Sequence, residues 1–148
     1  MSFSLSAESK ETFTSTLREK GLRPTKQRSC VYAVILTKRD HPTADEIYDR
    51  VRRYLPGTSF ATVYNCLQTL VGCGLVRQVN MERSPSRFCP NLAPHAHFKC
   101  SETGKIHDLE IDAETLRRVL DLVPKQYRTE NFDLSFTGKE VATLNSRN

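Results

Sequence analysis

Ser59-Phe60-Ala61-Thr62-Val63-Tyr64-Asn65-Cys66-Leu67-Gln68-Thr69-Leu70-Val71-Gly72-Cys73-Gly74 reads as a helix with two faces. Ser59 is an N-cap residue, whose side-chain oxygen can accept from an early helix N–H, and Gly74 supplies the stop. Val63, Leu67, Leu70 and Val71 recur at helical spacing as an apolar stripe, with Cys66 and Cys73 as packing residues beside it. Ala61, Tyr64, Asn65 and Gln68 recur at the same spacing on a second face that carries no acidic residue. Asn and Gln amides match adenine edges, and a tyrosine can reach a thymine methyl or a phosphate. Such a face is also compatible with plain solvated surface, so its meaning depends on the flanking chain.

Downstream, Leu75 to Val79 reads as a strand, Asn80 to Pro85 as a polar turn with Arg83 at its tip, and Ser86 to Cys89 as the return strand. Upstream, residues 8–20 predict a helix with Phe13 and Leu17 inward, closed by Gly21. Thr25, after Pro24, caps a second helix with Cys30, Val31, Val34 and Ile35 inward and Lys26, Arg28 and Lys38 outward. Thr43-Ala44-Asp45-Glu46 is a capping box. It opens a third helix with Ala44, Ile47, Tyr48, Val51 and Leu55 as its stripe, stopped by Pro56-Gly57. Short helices followed by a basic hairpin predict a winged helix-turn-helix. Its last helix would enter a DNA major groove, with the second helix and hairpin near phosphates. The expected DNA-contacting residues are Arg23, Thr25, Gln27, Arg28, Ser59, Ala61, Thr62, Tyr64, Asn65 and Gln68.

Composition agrees. A net charge of +5 favours a polyanionic partner. The chain has no apolar run long enough for a membrane span, and Met1 to Ser6 lacks the features of a secretory signal, so a cytoplasmic protein is expected. Five scattered cysteines, an odd number, are not a disulfide framework.

A second cluster begins where the hairpin ends. Arg87-Phe88-Cys89-Pro90-Asn91-Leu92-Ala93-Pro94-His95-Ala96-His97-Phe98-Lys99-Cys100 and Lys105-Ile106-His107-Asp108 hold three of the four histidines. In a strand, His95 and His97 lie on one face and can grip one divalent metal, with a carboxylate or thiolate completing the set. Asp108, Cys89 and His41 stand in segments a compact fold could gather. A pair of surface histidines is the plainer alternative. Two histidines and an aspartate are also the donor set of non-haem iron oxygenases. The basic helical half and the absence of barrel-forming apolar segments argue against an enzyme.

The rest predicts strands at 97–100 and 105–111 around Thr103-Gly104. A helix capped by Asp112 follows, with Leu116, Val119, Leu120 and Val123 as its stripe, ended by Pro124. Phe132, Leu134 and Phe136 alternate, so 131–137 reads as a strand with one buried face. A unit of roughly fifty residues has too small a core to stand alone and is expected to dimerise. The fold class is therefore α+β, with a winged-helix domain at 1–90, a hinge at about 88–94, and a small α/β dimerisation domain at 95–148.

With these stretches in hand, the chain resembles the ferric uptake regulator family. The matching segments are Leu22-Arg23-Pro24-Thr25-Lys26-Gln27-Arg28, His41 to Tyr48, Ser59 to Asn65, Gly74-Leu75-Val76, His95 to Cys100 and Gly104 to Asp108, in the family's order. The resemblance implies a homodimeric transcription regulator, usually a repressor, that binds a two-fold DNA operator when one divalent metal per subunit occupies the hinge. It implies His41, Cys89, His95, His97 and Asp108 as regulatory ligands. Fe(II) or Mn(II) is expected, with Zn(II) possible.

Three departures bear on this. Position 89 usually holds a carboxylate in the family. A Cys89 thiolate would pull the site toward zinc or iron and could itself oxidise, or Cys89 turns away and leaves four ligands. Cys89-Pro90 is also the dipeptide of haem-regulatory motifs. Second, the family's first Cys-x-x-Cys pair is reduced here to Cys100-Ser101-Glu102-Thr103, with no cysteine after it. No structural zinc is expected, and Phe132, Leu134 and Phe136 are left to hold the last strand by packing. Third, Pro94 and Ala96 offer no ligands for a further site, and His107 should face away from Asp108.

Asp108 rather than Glu, with the helix reading Ala61-Thr62-Val63-Tyr64-Asn65, is similar to the peroxide-responsive branch. That likeness implies His41 and His95 as oxidation targets. Iron- or zinc-responsive control is the alternative within the family, and a metal-independent DNA-binding regulator the remaining one.

Overall fold

A computed structural model of the chain describes residues 2–141. The last residues of the expected second domain, 142–148, lie outside the described ones. The chain divides into two compact units, Met1–Leu92 and Ala93–Asn148.

The first unit is built from α1 (Ala7–Glu19), α2 (Lys26–Thr37), α3 (Ala44–Arg52) and α4 (Phe60–Gly72), followed by a hairpin of β1 (Arg77–Val79) and β2 (Arg87–Cys89). Each helix starts where a hydroxyl can satisfy an early N–H: Ser6, Thr25, Thr43 and Ser59 all accept from the residue three positions on. Such a cap contributes about 1 kcal/mol. At Thr43 the box is complete, with Glu46 Oε1 accepting from the Thr43 N–H at 2.9 Å. Helix α4 ends at Gly74, whose φ of +77° lets the N–H of Leu75 return to the Leu70 carbonyl at 3.0 Å.

The helical stripes meet in one core. Leu17, Cys30, Val31, Ile35, Ile47, Val51, Val63, Leu67 and Leu70 are fully shielded, and Phe88 of the hairpin joins them. The core cysteines behave as small apolar residues: burial pushes the Cys30 thiol up to about 11 and raises Cys66 as well. The hairpin is antiparallel, with Arg77 opposite Cys89 and Val79 opposite Arg87.

The second unit is a three-stranded sheet in the order β4-β3-β5, from β3 (His95–Cys100), β4 (Ile106–Glu110) and β5 (Ser135–Gly138), plus one helix, α5 (Ala113–Leu120). β3 is central, antiparallel to β4 and parallel to β5. Gly104, at φ +75°, makes the turn between β3 and β4, and Asp112 caps α5.

Here the structure corrects the sequence reading. The last strand starts at Ser135, not 131, and lacks the expected buried face: Phe136 is 48% exposed, while Phe132 and Leu134 are half-buried. Backbone bonding attaches it instead, through His97 N–H to the Leu134 carbonyl (3.0 Å) and Ser101 N–H to the Gly138 carbonyl (2.8 Å). Likewise α5 buries none of its stripe. Alternation reports which side chains need cover; it does not say where the cover comes from. Among the described residues, no helix is long and apolar enough to cross a membrane.

Candidate metal centre and nucleic-acid face

In the second unit the period of a strand does the first part of the work. His95 and His97 stand two apart on β3 and are both buried, at 4% and 2% exposure. Pairing with β4 does the second, since the register sets Asp108 directly opposite His97. His95 Nδ1 lies 2.6 Å from the Ala93 carbonyl oxygen. A carbonyl only accepts, so Nδ1 carries a proton, which leaves Nε2, on the other side of the ring, as the nitrogen able to ligate a metal. His95 Nε2 is 3.0 Å from His97 Nε2 and 3.5 Å from Asp108 Oδ1, and His97 Nε2 is 3.3 Å from the same oxygen.

Those three edges resemble one face of a coordination polyhedron. Ligand atoms about 2.1 Å from one cation lie roughly 3.0–3.4 Å apart. His107, one residue away, follows the strand's alternation: its side chain is half exposed, with Nε2 3.5 Å from Glu140 Oε1.

In the first unit, His41 and Cys89 are also buried. A His41 ring nitrogen and Cys89 Sγ lie within 4.8 Å of each other. His41, in the link between α2 and α3, has φ +53°. For a non-glycine residue this costs on the order of 1–3 kcal/mol and persists only where surrounding contacts impose it. The Asn91 N–H donates to Cys89 Sγ at 3.4 Å.

The donors thus fall into two sets, His41 with Cys89 and His95 with His97 and Asp108. Imidazole and carboxylate suit manganese, iron or zinc alike, whereas a thiolate favours iron and zinc. Cys100 closes β3, where hydrogen bonds from the Thr103 hydroxyl and from backbone N–H groups hold its thiol below the usual range.

Helix α4 separates its two faces cleanly. Val63, Leu67 and Leu70 are fully buried, while Ala61, Tyr64, Asn65 and Gln68 are exposed. The Tyr64 ring stacks on Phe60 (centroids 6.3 Å apart), and Phe60 meets Tyr48 edge-on at 5.5 Å. Sequence reasoning assigned Phe60 no role; its i, i+4 spacing to Tyr64 was the available signal. Thr25 and Ser59, expected at DNA, also serve as helix caps, and Ser59 Oγ lies 3.0 Å from Thr62 Oγ1. Arg28 Nη1 donates to the Arg23 carbonyl at 2.7 Å, bracing the start of α2. Gln27 lines a shallow depression together with Lys26, Thr58, Ser59 and Thr62, so the N-termini of α2 and α4 open onto one surface.

A winged helix-turn-helix joined to a small α/β unit bearing metal donors has the build of a metal-responsive transcription regulator. The chain belongs to the ferric uptake regulator family, whose model matches residues 19–137. Among its relatives is the peroxide-responsive repressor PerR of Staphylococcus aureus, 37% identical over 100 residues, which are 68% of each chain. The ferric uptake regulator of Helicobacter pylori, described as having three functional metal-binding sites, superimposes with a TM-score of 0.73 at 25% identity over 94% of each chain. A Campylobacter jejuni peroxide stress regulator shares the fold (TM-score 0.67, 23% identity, 93% of this chain and 98% of that one).

Proposed function

We propose that this chain is a homodimeric repressor acting in the cytoplasm, which binds a two-fold-symmetric operator when a divalent cation is held jointly by His41, Cys89, His95, His97 and Asp108. The observation that carries the reading is the triangle of His95 Nε2, His97 Nε2 and Asp108 Oδ1, with the His95 tautomer set by Ala93. The donors come from both units, so ligation would tie the DNA-reading half to the dimerising half across a hinge near 88–94. Binding then selects the arrangement in which two copies of α4 match the spacing of the operator. Tyr64, Asn65 and Gln68 would read bases, while Arg23, Thr25, Gln27, Arg28, Ser59 and Thr62 approach the backbone and Ala61 leaves room for a close fit.

The signal we assign is peroxide, supported by the S. aureus relative. Peroxide would be the oxidant, a bound Fe(II) would supply the electron that splits its O–O bond, and His41 and His95 are the side chains expected to gain oxygen. An imidazole so altered is a poorer donor, and the units would separate. Zinc- or iron-responsive control is the second reading, favoured by the Cys89 thiol beside His41.

A duplex selected from a random pool by the Mn(II)-loaded protein provides the test. A chelator should abolish binding to it, as should His41→Ala or His97→Ala, with the dimer still folded. Undiminished binding in chelator would refute metal dependence. Peptide mass spectrometry after peroxide treatment of the Fe(II)-loaded protein should find added oxygen at His41 or His95, with DNA binding lost; an unmodified pair with DNA binding retained would favour the second reading.

A further inference from the structure

We propose that Arg87 is a positioning residue for the metal site: its guanidinium holds the backbone of His41 in the left-handed region and so presents that imidazole beside the Cys89 thiol. The inference rests on the reading of His41 and Cys89 as donors.

A histidine at φ +53° needs something to keep it there. Contacts from β2 bear on this stretch of backbone. The Phe88 N–H donates to the Pro42 carbonyl at 3.0 Å, and Thr43 bridges to Arg87 in antiparallel fashion. Both are backbone contacts that any side chain at 87 would permit. Another is different: Arg87 Nη1 donates to the carbonyl oxygen of His41 itself, at 3.0 Å. Only a long side-chain donor can make it.

Strand geometry explains why position 87 carries that donor. Arg87 and Cys89 are two apart in β2, so their side chains leave the strand on the same side. One strand therefore supplies both the thiol and the group that fixes the neighbouring imidazole. The same Nη1 lies 4.0 Å from Glu46 Oε1, the oxygen that accepts from the Thr43 backbone and hydroxyl in the capping box of α3. Arginine's rigid fork suits a bridge between a carbonyl and a carboxylate; a lysine ammonium is a point charge on a flexible stem. Through Arg87 the ligand's backbone is thus tied to the first turn of α3. Outer groups that orient metal ligands in this way commonly change metal affinity tenfold to a hundredfold.

The test titrates the metal-free, full-length protein with Co(II) under nitrogen, following the ligand-field bands, with circular dichroism and the thermal midpoint of the metal-free form as fold controls. Arg87→Met keeps the stem but removes the donor, and should weaken Co(II) binding by about tenfold or more. Arg87→Lys should recover part of the loss. If Arg87→Met does not fold, Arg87→Gln, whose amide is too short to reach, takes its place with the same expectation. In a His41→Ala background the Arg87 substitution should cost nothing further, because its effect passes through His41. Wild-type affinity in Arg87→Met, or an equal loss in both backgrounds, overturns the proposal alone. Unchanged affinity in His41→Ala would show that the donor assignment has failed, and the proposal with it.

Discussion

In the unit that ends at Leu92, Leu17, Ile35, Ile47, Val51, Val63, Leu67 and Leu70 have no exposed surface. Among the described residues of the other unit, the buried apolar side chains are Ala96, Cys100 and Ile106. That second unit instead leaves Leu109, Leu122, Val123, Tyr127, Phe136 and Val141 exposed, and α5 buries nothing. The first unit supplies its own cover. The described residues of the second do not, which is the physical argument for the homodimer proposed above. Its buried histidines sit in the central strand of this thin layer, so the metal binding and dimer formation proposed above would draw on the same sheet.

The contrast can be broken by substitution. Leu67→Ala removes a fully shielded side chain from the closed core and should destabilise the first unit by about 2–5 kcal/mol in denaturant unfolding. A smaller loss would mean that this core is looser than its burial implies. Leu120→Asp, on the half-buried stripe of α5, should leave the helical first unit intact and convert the protein to monomer in sedimentation. A variant that stays dimeric would place the interface elsewhere.

Tyr64→Ala sharpens the comparison from the DNA side. It should weaken operator binding by ~1–3 kcal/mol, the scale of one base contact, without changing the dimer. Unchanged affinity for the operator would mean that α4 reads DNA through another face. The smallest effect concerns Asp40. Two hydrogen bonds from Arg50, at 3.0 and 2.8 Å, hold its carboxyl below the usual 3.8. A folded pKa below the unfolded one stabilises the chain above the unfolded value, and that contribution fades as the pH falls below about 3.8 toward the folded pKa. The pair is partly solvated, so Asp40→Asn should cost no more than ~1 kcal/mol at neutral pH and flatten this part of the acid-unfolding profile.

Local rules made much of this legible. Caps at Thr25, Thr43 and Ser59, the exposed Tyr64 face, and the shared side of His95 and His97 all follow from periods of two, three or four residues. What depends on long-range register was not readable in the same way. Asp108 lies opposite His97 only because of how β3 and β4 pair. Arg87 reaches a carbonyl 46 residues away in sequence. Phe132, Leu134 and Phe136 had the alternation of a half-buried strand, yet a single copy leaves that face without full cover.

The central claim is that one cation is ligated by both units. Its most direct test is the anomalous-scattering map of a crystal grown from the Mn(II)- or Fe(II)-loaded protein. The account predicts, in each subunit, one peak within bonding distance of His41 and of His95, His97 and Asp108 together. A peak bound only by the residues of β3 and β4, with His41 turned away, would contradict it.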